Sequence, residues 1–395
     1  MQITKLAVIG AGTMGSSIVM ALIMSGLKVV LKDTDSQVLE KGLNNIDQFL
    51  QKKIDKGLDP LKAQSMKKLI IPATDYSEFA DVDIVIEAVS EAINVKKRVF
   101  EELDEWCNLD TILTTNTSSL SITQIGSFTR RPDKVIGLHF FNPAHIMKLV
   151  EVIPSMETSN DTIQAIIQLA NLINKVSVKV EECPSFLVNR LLTRYMNEAL
   201  WCLQGKVAKI DEIDKAAIDM AMPLGPLALR DMNGADIGIQ VANYNFKEYG
   251  SRFEFPQLLN NMVNNNYLGK KTGKGFYLYS ENNPKPVSVN NEIYQLIDQS
   301  LPTQHSNVPV DIRLFLPMIN EAFLVIQEKI CRIDAIDLAL KTGLGMRIGP
   351  LELAEKIGLA NCLKYLEELY NLFGERFRPA FYLRKLVYAR KTTVL

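Results

Sequence analysis

The first 25 residues have the pattern of a strand, a glycine-rich turn and a helix. An apolar run, ITKLAVIG, ends at Gly10 and is typical of a buried parallel strand. The turn GAGTMG follows as G-x-G-x-x-G, with glycines at Gly10, Gly12 and Gly15 and with Thr13 and Met14 between the last two. An apolar helix, SSIVMALIMSG, comes next. This order strongly favours an α/β fold that begins with a strand-turn-helix unit.

The three glycines point to a dinucleotide. Gly10 permits a tight turn, Gly12 lacks the Cβ that would block a pyrophosphate, and Gly15 lets the helix pack closely on the strand. The helix N-terminus faces the phosphates with free N–H groups. A second apolar run, LKVVL, leads to Asp33, whose carboxylate suits ribose hydroxyls and repels a 2′-phosphate. The predicted cofactor is therefore NAD rather than NADP. Thr13 and Met14, in the same loop, are also predicted to contact it.

Strand-like and helix-like segments alternate over residues 1–183, which predicts a doubly wound, Rossmann-type sheet as an NAD-binding domain. A long polar stretch with helical spacing interrupts the alternation, and we expect a projecting helical pair broken near Gly57–Pro60. The pattern becomes helical at Pro184, which predicts an all-α domain over 184–280.

A second all-α domain is predicted over 310–395, after a polar stretch at 281–309 that we interpret as a linker. This domain repeats the first, because MPLGPLALRDMNG recurs as MRIGPLELAEKIG and the tripeptide NEA recurs at the same spacing. The fold class is thus α/β followed by two all-α internal repeats. Asn189 of the first copy aligns with Ile312, so the second copy is predicted to be degenerate.

A histidine and a glutamate share the segment KVIGLHFFNPAHIMKLVEVIP. His139 lies near the end of one predicted strand, VIGLHFF, and Glu151 lies in the next, MKLVEVI. Asn142 and Pro143 occupy the turn between them. A carboxylate beside an imidazole fixes its tautomer and favours the imidazolium formed on accepting a proton, which suits acid–base catalysis. The alternatives without a catalytic role are that His139 is a core histidine held by a carbonyl group and that Glu151 is an ordinary acid on a strand. The nearby dinucleotide motif favours proton transfer coupled to hydride transfer.

Composition excludes other classes of function. Lys+Arg 44 against Asp+Glu 45 gives a net charge of −1. The chain therefore lacks the overall positive charge that would indicate nucleic-acid binding. Five cysteines without C-x-x-C and three histidines without ligand spacing predict reduced thiols and no metal. Of the histidines, His145 and His305 are expected in loops or on the surface. No signal peptide and no bilayer-length apolar run are visible, so we expect a cytoplasmic protein without membrane insertion.

Over residues 1–280 the chain resembles the 3-hydroxyacyl-CoA dehydrogenases of fatty-acid β-oxidation. The resemblance rests on GAGTMG, EAVSEAINVK, NTSSLSIT, GLHFFNPAHIMKLVEVI, FLVNRLL, GPLALRDMNGAD and GKKTGKGFY. The duplicated domain is similar to the dehydrogenase region of bacterial multifunctional β-oxidation proteins, whose hydratase domain we do not expect in a chain of this length. The resemblance implies NAD-dependent oxidation of an L-3-hydroxyacyl-CoA to a 3-oxoacyl-CoA.

The resemblance also implies roles for individual residues. His139 and Glu151 would transfer the proton, while Ser118 and Asn189 would bind the substrate, with Thr117 and Ser119 as competitors of Ser118. Further cofactor contacts would come from Glu91, Lys96, Asn142 and Lys271. The CoA phosphates would be held by Lys56, or by its neighbours Lys52 and Lys53.

The assembly is another implication of the resemblance. In single-copy relatives the helical domains pair between subunits, so here 187–262 and 310–385 are expected to pack face to face as an internal pseudo-dimer. A homodimer of the whole chain, and a separate enoyl-CoA hydratase or thiolase partner, stay open.

Two other functions stay open at this point. Relatives with the same four polar residues oxidise sugar acids such as L-gulonate and do not need CoA. A nucleotide-binding scaffold whose catalysis has lapsed is the alternative from another class, and the intact set of His139, Glu151, Ser118 and Asn189 argues against it.

Overall fold

The computed structural model describes residues 3–280, 285–300 and 302–394. The chain forms two compact units, the first ending at Phe186 and the second beginning at Leu187. Within the described ranges, every helix is too short or too polar to span a bilayer.

The first unit is built on one eight-stranded sheet. Its strands are β1 (Lys5–Ile9), β2 (Lys28–Lys32), β3 (Ile70–Ala73), β4 (Ile84–Glu87), β5 (Ile112–Thr115), β6 (Val135–Phe140), β7 (Leu149–Pro154) and β8 (Val176–Lys179). Their order in the sheet is β3-β2-β1-β4-β5-β6-β7-β8. Neighbouring strands are parallel except β6 and β7, which are antiparallel. The predicted fold class is confirmed, while the short edge strand β3, which contains Pro72, was not predicted.

The described part of the first unit also contains six α-helices. They are α1 (Thr13–Met24), α2 (Ser36–Ile54), α3 (Pro60–Lys67), α4 (Ile93–Trp106), α5 (Ile122–Gly126) and α6 (Asn160–Leu172). The Asp35 carboxylate caps α2, and the Ser159 hydroxyl caps α6, by accepting hydrogen bonds from first-turn N–H groups. The break between α2 and α3 lies where Gly57 and Pro60 predicted it. Strand residues such as Leu6, Val8 and Ile86 are fully buried, which places the core between sheet and helices.

The second unit contains the two helical copies. The first copy comprises α7 (Val188–Gln204), α8 (Ile210–Met220), α9 (Pro226–Asn233), α10 (Ala235–Tyr249) and α11 (Leu258–Asn264). The second comprises α12 (Val310–Gln327), α13 (Ile333–Leu344), α14 (Pro350–Ile357), α15 (Leu359–Phe373) and α16 (Phe381–Tyr388). A small antiparallel pair, β9 (Tyr277–Leu278) with β10 (Ser288–Val289), completes the unit.

The two copies pack against each other through α7 and α12, as the pseudo-dimer prediction expected. Two buried ion pairs cross the contact reciprocally. Arg190 contacts Glu321 at 2.8 Å, and Arg313 contacts Glu198 at 2.8 Å. Because the four side chains are at most 1% exposed, each guanidinium depends on the carboxylate of the other copy for its charge balance.

Part of the predicted linker 281–309 packs on the first copy. The Asn290 side chain donates to the Gly275 carbonyl at 2.8 Å, and the Ile210 N–H donates to the Tyr294 hydroxyl at 3.2 Å. Ile293 is fully buried. The linker prediction missed this packing, because Asn and Pro suggested a solvated connector; residues 281–284 and 301 lie outside the described residues.

Candidate active site

The glycine turn packs closely against other backbone on one side and faces open space on the other. Gly10 has φ +95°, and a Cβ there would lie 2.6 Å from the Ala88 carbonyl oxygen. A Cβ on Gly15 would lie 1.7 Å from the Gly10 carbonyl oxygen. A Cβ on Gly12 would meet nothing within 4 Å, so the N-terminus of α1 opens onto free space. These observations fit the roles that the sequence assigned to the three glycines, and a dinucleotide phosphate fits this cradle.

Asp33 lies beside the same turn. One carboxylate oxygen accepts the Ala11 N–H at 2.8 Å, and the other accepts the Asp35 N–H at 3.1 Å. A cavity of about 520 Å³ extends from Gly10 and Gly12 past Asp33. It lies beside the neighbouring strands β1 and β4, after which the chain continues to opposite halves of the sheet. This position is the usual cofactor crevice of such folds. Thr13, exposed, and Met14, partly buried, begin α1 at this turn.

His139 and Glu151 face each other across β6 and β7. They are direct register partners, and Nδ1 of His139 lies 2.7 Å from Oε2 of Glu151. His139 is 6% exposed and Glu151 is fully buried. Since a carboxylate only accepts hydrogen bonds, Nδ1 carries the proton and the Nε2 lone pair is left to act as a base. The rings of Phe141 and Phe186 lie 4.7 Å and 5.8 Å from the imidazole and restrict its orientation.

Ser118 follows β5. Because β5 and β6 are parallel, Ser118 lies at the same end of the sheet as His139, which is near the carboxyl end of β6. Its N–H donates to Glu91 Oε1 at 2.8 Å, and its hydroxyl donates to the same oxygen at 3.2 Å. Thr117 also donates to that oxygen, at 2.6 Å. Partial burial of Glu91 opposes its ionisation, but Lys96, Thr117 and Ser118 outweigh that cost and lower the pKa of its carboxyl. The serine loop is thus held by an ionised glutamate.

Lys96, a predicted cofactor contact, pairs with a buried carboxylate. Its ammonium lies 2.7 Å and 2.9 Å from the two carboxylate oxygens of Glu87, and 3.3 Å from Glu91. Glu87 is fully buried at the end of β4 and also accepts the Thr115 hydroxyl at 2.6 Å. Sequence reasoning missed Glu87, although an acid at the end of an apolar strand was a visible signal.

The turn after His139 is tied down from two sides. Lys175 donates its ammonium to the carbonyls of Ala144 and Met147 at 2.5 and 2.6 Å. His145 Nδ1 lies 2.7 Å from the Ser17 hydroxyl, and its ring packs edge-on against Phe49. His145 was expected to be a loop or surface residue; it lies in a loop but is partly buried against α1 and α2, because the turn folds back onto them.

Asn142, the predicted nicotinamide contact, is exposed in the same turn. It precedes Pro143 in a cis peptide bond. Asn116 is the first residue of the NTSSLSIT motif and was not predicted to have a role of its own. Its side chain accepts the Phe140 N–H at 2.8 Å and so fixes the end of β6 beside His139.

Three further predicted residues belong to other elements of the chain. Asn189 is the second residue of α7, in the second unit. Lys271, also in the second unit, forms an ion pair with Asp236. Lys56 is exposed in the turn between α2 and α3, and its neighbour Lys53 lies over the Phe49 ring. In the described part of the chain, no cluster of three or more His, Cys, Asp or Glu residues is suited to a metal ion.

Comparison with known proteins assigns both units to one family. Residues 5–183 match the family model "3-hydroxyacyl-CoA dehydrogenase, NAD binding domain". Residues 186–279 and 310–394 each match the "3-hydroxyacyl-CoA dehydrogenase, C-terminal domain". The chain belongs to the 3-hydroxyacyl-CoA dehydrogenase family. It is therefore an NAD-dependent oxidoreductase of this family, with one cofactor-binding domain and two copies of the helical domain.

Relatives differ in how much of the chain they cover. A 3-hydroxybutyryl-CoA dehydrogenase of Clostridioides difficile is 46% identical over 281 residues, which is 70% of this chain and 100% of that protein. The fatty acid oxidation complex subunit alpha of Shewanella amazonensis is 34% identical over 400 residues, or 99% of this chain but 56% of that subunit. The chain thus spans little more than half the length of this relative.

A solved structure resembles the chain along nearly its whole length. The crystal structure of 3-hydroxybutyryl-CoA dehydrogenase from Escherichia coli K12 covers 98% of this chain and 99% of that one, with a TM-score of 0.89 and 29% sequence identity. The duplicated helical arrangement is therefore shared with another dehydrogenase of this family.

Proposed function

We propose that this dehydrogenase oxidises the 3-hydroxyl group of an L-3-hydroxyacyl-CoA to a ketone and produces 3-oxoacyl-CoA and NADH. The main support for the proposal is the buried His139–Glu151 pair. His139 lies near the carboxyl end of β6, in the same sheet in which the glycine turn follows the carboxyl end of β1. The names of its relatives supply the substrate class, and the pair supplies the acid–base chemistry that an alcohol oxidation needs.

Proton removal is assigned to His139. Its Nε2 lone pair takes the hydroxyl proton of the substrate, and the imidazole becomes an imidazolium. NAD, held at the glycine turn and by Asp33, would supply the acceptor for the hydride of the carbon that bears the hydroxyl group. Glu151 keeps the proton on Nδ1 before the reaction and stabilises the positive ring afterwards, at a hydrogen-bond distance of 2.7 Å. Reduction of the ketone reverses these steps.

Substrate positioning is proposed for Ser118 and Asn189. The Ser118 hydroxyl already touches Glu91, so it can rotate to donate to a substrate oxygen while Glu91 retains the N–H of the same residue. For Asn189 the support is the FLVNRLL motif and the apolar Ile312 at the matching position of the second copy.

The cofactor and CoA contacts are proposed in the same way. Glu91, in the loop after β4, and Lys96, on α4, would face the cofactor, with Lys96 oriented by Glu87. Asn142 would approach the nicotinamide end, and Lys271 is supported by its motif only. Lys56 is exposed, which is compatible with a role in holding CoA phosphates.

Steady-state turnover tests the proposal. Acetoacetyl-CoA with NADH should give faster turnover than L-gulonate with NAD. Equal or faster turnover of the sugar acid would reassign the substrate. Absence of turnover with every 3-oxoacyl-CoA and sugar acid tried, alongside normal NADH binding, would indicate a lapsed catalyst.

The cellular setting is part of the proposal. A cytoplasmic location is supported by the buried thiols of Cys107, Cys202 and Cys362. A homodimer and a separate enoyl-CoA hydratase or thiolase are the proposed partners; light scattering and pull-down with the purified enzymes test them.

A further inference from the structure

The cavity beside Asp33 has a wall of charged and aromatic side chains that the proposed reaction does not use. Lys32 is the last residue of β2, Tyr76 follows β3, and Glu102 lies on α4. All three line the same cavity as Gly12 and Asp33. They therefore face the dinucleotide from elements that do not carry His139 or Ser118.

These three side chains form one cluster. The Lys32 ammonium lies 4.1 Å from the centroid of the Tyr76 ring. The Tyr76 hydroxyl donates to Glu102 Oε2 at 2.7 Å. Burial, together with Glu102, raises the pKa of Tyr76 far above its usual value, so this hydroxyl remains a donor. The aromatic ring thus holds a cation on its face and an anion at its hydroxyl end.

The protein itself gives the charged form of Lys32 little stabilisation. The residue is 2% exposed, and burial lowers the pKa of its ammonium despite the nearby charges of Glu102 and Asp33. Among the described residues, this ammonium packs on the Tyr76 ring and has no hydrogen-bond acceptor. A buried ammonium is stabilised by an acceptor, and the cavity is where a ligand can supply one.

The position in the cavity indicates which part of NAD lies there. Gly12 and the start of α1 mark the pyrophosphate, and Asp33 marks the adenosine ribose. Lys32, Tyr76 and Glu102 line the part of the cavity beyond Asp33, where the adenine base of such a dinucleotide would lie.

We propose that Lys32 and Glu102 read the hydrogen-bonding edge of the adenine base. Lys32 donates to a ring nitrogen, and Glu102 accepts a hydrogen bond from the exocyclic amino group. Adenine carries an acceptor nitrogen beside its amino donor, so a cation and an anion side by side match it. Hypoxanthine has a carbonyl oxygen in place of the amino group, and that oxygen would face the carboxylate of Glu102. The wall therefore selects adenine over hypoxanthine.

Direct binding tests the proposal without acyl-CoA or turnover, so the result does not depend on the proposed substrate. NADH and reduced nicotinamide hypoxanthine dinucleotide are titrated into the full chain by calorimetry. The wild-type protein should bind NADH about tenfold more tightly or better, which corresponds to the loss of one charge-assisted hydrogen bond. Equal affinities for the two dinucleotides overturn the proposal.

Two variants assign the effect to the cluster. In Glu102→Gln the amide can donate to the hypoxanthine carbonyl, so the preference for NADH should fall to within about threefold. The matched control is Glu101→Gln, an exposed neighbour on the same helix that does not line the cavity, and it should keep the wild-type preference. A Glu102→Gln protein that loses affinity for both dinucleotides by the same factor contradicts base reading.

Lys32→Met gives an independent measurement, because it keeps an unbranched apolar side chain over the Tyr76 ring. NADH affinity should fall about tenfold, with an unchanged circular dichroism spectrum. Unchanged NADH affinity in this variant overturns the role of Lys32.

Discussion

His139 and Glu151 are register partners across the single antiparallel pair of an otherwise parallel sheet, with Nδ1 and Oε2 2.7 Å apart. Two rigid backbones therefore set the distance between base and carboxylate. A loop could not hold a buried pair at this separation with the same reproducibility.

Glu151→Gln should lower kcat by about 10²–10⁴-fold. The amide can donate to Nδ1, which moves the ring proton to Nε2 and removes the base. NADH affinity should stay at the wild-type value, as calorimetry can show. Glu157→Gln, an exposed change in the turn after β7, is the control and should leave kcat unchanged. Near-normal turnover of Glu151→Gln would rule out the proposed base.

Glu87→Gln should destabilise the first unit. Lys96 is 1% exposed and Glu87 is fully buried, so the variant leaves a buried ammonium without its principal counter-charge. We expect the free energy of unfolding to fall by about 3–5 kcal/mol. The same charge change at Glu101, in an exposed pair with Lys97, should cost at most about 1 kcal/mol. Similar urea midpoints for the two variants would contradict the argument.

Lys175→Met should loosen the turn that carries Asn142. Two carbonyls, of Ala144 and Met147, lose their donor. The expected cost is about 1–3 kcal/mol in unfolding free energy, together with weaker NADH binding. Lys148→Met, an exposed change in the same turn, should alter neither quantity. Normal NADH binding and a normal free energy of unfolding in Lys175→Met would show that the turn keeps its conformation without Lys175.

Glu321→Gln should weaken the contact between the helical copies. The carboxylate contacts Arg190 at 2.8 Å, and Arg194 and Arg252 at 3.4 Å each. Removing its charge leaves buried guanidinium groups unbalanced, so we expect a loss of about 3–5 kcal/mol in chemical denaturation. Arg332→Gln breaks an exposed pair of the second copy and should cost at most about 1 kcal/mol. Equal effects of the two changes would argue against interdependence of the copies.

Stability should depend on pH through two buried carboxyls of the first copy. Burial raises the pKa of Asp214 and of Asp231 from 3.8 to about 6. The folded protein therefore binds these protons more tightly than the unfolded chain. Their contribution to stability is fully present below the unfolded value and is lost as pH rises through about 6.

Between about pH 5 and 7, each group should lower the free energy of unfolding by about 1 kcal/mol. Asp214→Asn removes one titration and should flatten the dependence, whatever its own effect on stability. Asp219→Asn, an exposed change on the same helix, should keep the wild-type slope. Denaturation series across this range measure both slopes, and identical slopes for Asp214→Asn and wild type would contradict the assignment.

Several features could be predicted because they depend on local sequence. Gly10, Gly12 and Gly15 specify a turn that few other residues could form, and alternating apolar runs specify a layered α/β fold. The repeated phrases around Gly225 and Gly349 revealed the duplicated domain. The glutamate twelve residues after His139 suggested their pairing, since a short connection between strands limits the register.

Tertiary structure decided which distant residues meet. Glu87 and Lys96, or Lys32 and Glu102, come together because β2, β4 and α4 pack in one crevice, and no local pattern encodes that contact. Lys175 reaches the turn after His139 for the same reason. The sequence by itself determined the glycine turn, the acid–base pair and the duplication, through steric and periodic constraints that act over short distances. Only the fold decided which buried charges neutralise one another, because desolvation penalises any partner that packing does not bring within hydrogen-bond distance.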